Sequence, residues 1–267
     1  MAAATDSLPR VEASEVREEV HRKVDALADA ELEVVGNFLD AMASDVVASY
    51  NSESWLTSQW LGAFLARLRA HHALSIDPLS TTQFEAAFNN ACTAAGWQAD
   101  PASSATHRFF DTTVSVPGQE PRHISLKASA AQDMRREWIH ISKLTEAAWI
   151  QDARTIAARR AQLVTLFSQY RRSTTSIVML RAFRGGADEV LYELVEIPRT
   201  IFASVDQLTA QQAQAGTIPL PPGQSPPDLK IRLDRSDAKV TLTGIRLGIS
   251  TVHAHWHIAR HAGGVLE

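Results

Sequence analysis

Between residue 11 and about residue 70, apolar side chains recur at steps of three and four: Val16, Val20, Val24 and Leu27, then Leu32, Val35, Phe38 and Leu39. That period predicts amphipathic helices. Trp55, Trp60, Leu61, Phe64 and Leu65 extend the stripe and suit a packed core or a dimer seam. A further helix is expected from Thr81 to Gly96, with Ser80 or Thr81 as cap, Phe84, Phe88 and Cys92 on one face, and Gly96 as the stop. Residues 108–116 have strand composition, Pro117-Gly118 turns the chain, and His123 to Ala128 supplies a second strand at hairpin distance. The next stretch, Ser142 to Arg172, predicts a long helix with Leu144, Ala148, Ile156, Leu163, Leu166 and Phe167 on its apolar side. Strands follow over Ile177–Phe183 and Val190–Ile197, the second closed by Pro198, then a short helix over Ile201–Ala210. Gly216 to Pro227 holds five prolines and is expected to be a loop, whereas Leu229 to Ile258 alternates with period two, as a hairpin or meander does.

The fold class these elements imply is α/β, a central mixed sheet flanked by helices. Four regions are expected: a helical N-terminal region over residues 1–75, a core over 76–215, a Pro-rich linker over 216–228 and a small C-terminal β element over 229–267.

Composition agrees with a folded protein: 267 residues, 45% of them hydrophobic, suffice for one substantial core. No apolar run approaches the ~18 residues of a membrane span, and Met1 to Arg10 lacks the basic-then-apolar layout of a secretory signal. A cytoplasmic protein with no membrane partner is expected. Cys92 is the single cysteine, so the chain can form no internal disulfide and no thiolate metal cluster. The net charge of −4 conceals a gradient: Arg108 to Arg184 carries 13 Lys/Arg against 6 Asp/Glu, leaving 13 against 24 elsewhere. A basic middle is what a phosphate-contacting face needs, although a solvated helix surface gives the same count.

Candidate chemistry sits inside that basic stretch. Residues two apart on a strand face the same way, so Ser125 and Lys127 project together toward a neighbouring strand, where Asp111 is expected. A strand-borne lysine followed by a polar loop is hard to place in a core, because lysine is rarely buried without a partner.

With Asp111 and Lys127 in the order helix, strand, turn, strand, helix, strand, strand, residues 81–198 resemble the PD-(D/E)XK nuclease superfamily. Within it, the closest pattern is that of type II restriction endonucleases with a variant Ser-x-Lys triplet. The departures are Ser125, where the pattern has an acid, and the lack of a proline before Asp111. The resemblance implies Mg2+ as cofactor, cleavage of double-stranded DNA and a homodimer. It makes Asp111, Ser125 and Lys127 the catalytic set, with Lys127 orienting or activating the attacking water. Metal ligation would fall to Asp111 with Glu85 first and Glu146 second, Glu137 being a further acid placed to replace the missing one. Arg135, Arg136, Lys143, Arg181 and Arg184 would contact DNA.

Two other features compete. Asp237-Ala238-Lys239 matches an acid-x-lysine triplet by letter, but Asp234-Arg235-Ser236-Asp237 is rich in turn formers and implies a hairpin tip. His253, His255 and His257 alternate along one strand face; they suit the polar side of a C-terminal strand or, less readily, a zinc site of a metallohydrolase. A non-catalytic DNA-binding module that kept the fold without the acid is the remaining alternative, and Ser125 supports it.

Overall fold

The computed structural model describes residues 13–43, 45–102, 109–132, 134–185 and 189–259. The chain begins with α1 (Ala13–Val24), α2 (Asp29–Ala43), β1 (Val46–Tyr50), α3 (Ser58–His72) and α4 (Thr81–Ala94). It continues through β2 (Gln98–Pro101), β3 (Thr112–Ser115), β4 (Arg122–Ser129), β5 (Trp138–Glu146), α5 (Trp149–Asp152) and α6 (Ile156–Ser173). The rest comprises β6 (Ser176–Arg184), β7 (Glu189–Pro198), a 3-10 turn (Arg199–Gln207), α7 (Ala210–Gln214), β8 (Thr217–Leu220), β9 (Leu229–Asp234), β10 (Lys239–Arg246) and β11 (Thr251–Ala259).

Seven strands form the main sheet in the order β1-β11-β7-β6-β4-β3-β2, and β5-β10-β9-β8 form a second. The main sheet is mixed because β4 and β6 run parallel while its other pairs are antiparallel. Parallel neighbours need a long crossover, and here β5, α5 and α6 make it. Strand β6 lies at the centre: Ile177 and Met179 enter one core, Val178 and Leu180 the other. Burial on both faces is why this segment reads as one continuous apolar run. On one side Trp60 and Phe64 of α3 and Phe84 and Phe88 of α4 cover the sheet. On the other, Leu166 and Phe167 of α6 pack together with Ile231 and Leu242 of the second sheet. The expected class is thus observed, a mixed sheet flanked by helices with N-terminal helices and C-terminal strands.

Several boundaries differ from expectation. Residues 142–146 are strand, not helix: Trp138–Glu146 pairs with β10, burying Ile139, Ile141 and Leu144. The four-residue step from Leu144 to Ala148 imitates a helix across what is a strand end. Val46–Tyr50, inside the expected helical region, pairs with β11 more than 200 residues away, a partner local periodicity cannot reveal. The Pro-rich stretch contains β8, an edge strand whose Pro219 costs the sheet no interior hydrogen bond. The C-terminal strands are divided, with β9 and β10 in the second sheet and β11 between β1 and β7 in the main one. Arg108, expected at the head of the first strand, lies outside the described residues.

Candidate active site

Helix α4 is fixed at both ends. Ser80 accepts from the Gln83 amide while the Gln83 side chain accepts from the Ser80 amide, which satisfies two otherwise orphaned donors. At the other end Trp97 N–H reaches Cys92 O at 2.9 Å and Gly96 N–H reaches Thr93 O at 3.0 Å, with Gly96 at φ +75°. That paired closure requires a left-handed residue, hence the glycine. Glu85 stands half-buried on the first turns of this helix. Its carboxyl pKa is raised, mainly by burial, further by the charge of Asp111, and Lys127 partly offsets the rise. All three groups therefore share one electrostatic site. Thr112 Oγ1 donates to Asn89 Oδ1 at 3.0 Å, tying α4, one turn beyond Glu85, to the residue after Asp111.

Asp111 sits just ahead of β3, with its N–H on Ile124 O and its carbonyl accepting from Ala102 N–H, both at 2.9 Å. One carboxylate oxygen, Oδ2, collects three donors from β4: Ser125 Oγ at 3.3 Å, Leu126 N–H at 2.6 Å and Lys127 Nζ at 3.1 Å. Oδ1 accepts no hydrogen bond from the described residues. Lys127 Nζ also donates to Leu126 O at 2.9 Å, so the ammonium rests between a carboxylate and a carbonyl. Ser125 is 1% exposed and faces Tyr170 of α6, which is fully buried. Burial drives the Tyr170 phenol pKa up, against a smaller pull from the Ser125 hydroxyl. The Tyr170 hydroxyl has no well-aligned partner, and its ring packs on Phe109 at 5.4 Å between centroids. Thr174 Oγ1 holds Phe109 O at 3.1 Å, anchoring the segment that leads into Asp111.

The structure thus gathers Asp111, Ser125, Lys127 and Glu85. It does not bring Glu146 to them: that residue ends β5 on the second sheet and pairs with Lys143 at 2.8 Å, both side chains exposed. The helix that would have carried Glu146 toward the site begins only at Ile156. Arg181 requires correction as a DNA contact. It is 1% exposed, paired with Glu193, and donates to the carbonyls of Arg135 at 2.6 Å, Trp138 at 3.0 Å and Arg136 at 3.2 Å. A desolvated guanidinium with both terminal nitrogens engaged is a strut, and what it holds is the segment carrying exposed Arg135 and Arg136. Arg184 is exposed beside Asp77 at 3.3 Å. Tyr170, Asn89 and Thr112 were not anticipated; each acts through partners far away in sequence.

Asp237 and Lys239 pair with each other at the tip of the β9–β10 hairpin, where Ala238 takes φ 47°. His253, His255 and His257 each meet a β7 carboxylate: Glu196 at 2.9 Å, Glu193 at 3.0 Å and Glu189 at 3.2 Å. Burial is the largest influence on Glu196 and would raise its pKa, yet hydrogen bonds from His253 and Trp55 hold it below the usual range. Among the described residues no three His, Cys, Asp or Glu side chains form a metal cluster.

A family model described as SmaI, type II site-specific deoxyribonuclease, matches residues 27–258. The chain belongs to the SmaI family. The match runs from α2 into β11 and includes the whole Asp111–Lys127 corner. The type II restriction enzyme SmaI of Serratia marcescens is 30% identical over 171 residues, which span 62% of this chain and 64% of that enzyme. The aligned part is therefore just under two thirds of the SmaI enzyme. No described helix is long and apolar enough to cross a membrane.

Proposed function

We propose that this SmaI-family protein is a cytoplasmic, sequence-specific endonuclease that hydrolyses double-stranded DNA with Mg2+, on a core of PD-(D/E)XK type with serine in place of the usual acid. The observation that carries this reading is the asymmetric holding of Asp111. Three donors from β4 fasten Oδ2, Oδ1 accepts no hydrogen bond from the described residues and would go to a ligand, and Glu85 shares the site.

The donors suit magnesium. It takes hard oxygen ligands, is often held by only one or two carboxylates, and completes its shell with water and substrate phosphate. Asp111 and Glu85 would hold it together with the Leu126 carbonyl; bound there, the ion would supply Lewis-acid stabilisation of the phosphate. Lys127 places positive charge beside the scissile phosphate and, released from Leu126 O, can orient the attacking water. Asp111 fixes the ammonium, and Leu126 N–H and Ser125 fix Asp111. Exposed Arg135 and Arg136 would grip the DNA backbone or base edges, while Arg184 and Lys143 would first have to leave Asp77 and Glu146.

We extend the reading to a homodimer, because cutting both strands of a symmetric site needs two active sites. Val34 and Leu39 of α2 and Val47 of edge strand β1 are 56%, 58% and 73% exposed, an apolar surface that a second copy would cover. Incubating the purified protein with bacteriophage DNA and Mg2+ tests the function. Discrete fragments support an endonuclease; DNA that is retarded but intact would support a non-catalytic binding module, the reading favoured by Ser125.

A further inference from the structure

A cleft of about 730 Å3 opens where strand β4 ends, between the main sheet and the second sheet. Ser129 lines it, and Ser129 shares a strand face with Lys127 two residues earlier, roughly 7 Å away by strand rise. The lining is apolar and partly aromatic, with Met134, Trp138, Pro226 and Pro227. Trp138 is 37% exposed, so part of its ring is open to the cleft. Two exposed cations, Arg135 and Lys230, also line it, and neither has an ion-pair partner among the described residues. Among the described residues no carboxylate lines the cleft. Gly244 closes it from β10, at φ +59° where the register with β5 shifts, so backbone rather than side chain meets whatever enters.

An exposed ring and two exposed cations in one cleft select a ligand that is both planar and anionic. We propose that this cleft holds nucleotides of the DNA strand next to the scissile phosphate, with a base turned out of the duplex stack against Trp138 and phosphates on Lys230 and Arg135. The proposal rests on the nuclease reading and extends the DNA interface onto the second sheet. The Pro-rich segment is on this account a wall of the binding site. Arg181 contributes indirectly, because its grip on the carbonyls of residues 135, 136 and 138 sets the position of the Trp138 wall.

The test uses the full chain, a labelled duplex carrying a cleavage site mapped from the phage digest, and EDTA to prevent cutting. Trp138→Ala should weaken binding about tenfold or more, with the salt dependence unchanged, as loss of base stacking does. Lys230→Ala should weaken binding and lower the slope of log K against log salt by about one, the signature of a lost phosphate contact. Both residues are exposed, and melting temperatures close to wild type would confirm intact folds. Wild-type affinity and salt slope in both variants, with wild-type cleavage intact, would overturn the cleft proposal alone. A wild-type protein that neither binds nor cuts any duplex would overturn the nuclease reading together with it.

Discussion

Replacing Arg181 with methionine removes a buried cation while roughly preserving volume, and the structure sets what is left behind. Glu193, 5% exposed, would keep only His255 as a partner, and the carbonyls of Arg135, Arg136 and Trp138 would lose their donor. Breaking a buried pair from one side costs about 3–5 kcal/mol, because an uncompensated charge remains in low dielectric. For a chain of this size, about 2–4 °C of melting temperature corresponds to each kcal/mol, so a fall of roughly 6–20 °C is expected by differential scanning calorimetry. Arg181→Met combined with Glu193→Leu removes both charges and should recover most of the loss, since apolar replacement of a buried pair is close to neutral. DNA affinity should stay reduced in the double variant, because the 135–138 segment is still unheld. A single variant melting within about 2 °C of wild type would refute the strut.

Glu85→Gln should raise the melting temperature of the metal-free protein at neutral pH. The raised folded pKa means that ionising Glu85 disfavours the fold, so the gain should vanish as pH falls below the ordinary carboxylate range. Cleavage with Mg2+ should drop in the same variant, and unaltered turnover would remove Glu85 from the site. Ser125→Ala deletes one hydrogen bond to Asp111 Oδ2 while Leu126 N–H and Lys127 remain, so stability should fall by about 1 kcal/mol in denaturant melts. Single-turnover cleavage by that variant should fall less than tenfold; a collapse in rate would mean that Ser125 itself touches the reacting groups.

The sequence carried the locally encoded parts of the fold. Helix α4 was legible because cap, apolar face and stop residue lie within seventeen positions, from Ser80 to Gly96. The β3–β4 hairpin and the doubly buried β6 were legible for the same reason. Asp111 and Lys127 could be paired because the turn at Pro117-Gly118 brings adjacent strands together, whereas Glu85 was reached only through the family resemblance. What failed depended on distant partners. Strand β1 is a strand only because β11 lies beside it, and β5 only because β10 does. Arg181 looked like a surface cation because its counter-ion is on β7; counting the β6–β7 register outward from the Gly185 turn places Glu193 opposite and could have exposed the pair. The histidine stripe needed the β7 carboxylates before it could be read as three His–Glu pairs.

The most direct test of the central claim is the single-turnover cleavage rate of wild type and Lys127→Ala on a duplex carrying the mapped site, with saturating protein and Mg2+. Removing a group that stabilises developing charge or orients the nucleophile lowers rates by about 10²-fold or more. The account predicts site-specific cleavage by wild type and a loss of at least that size in the variant, with duplex binding retained. Equal rates for the two proteins would contradict it.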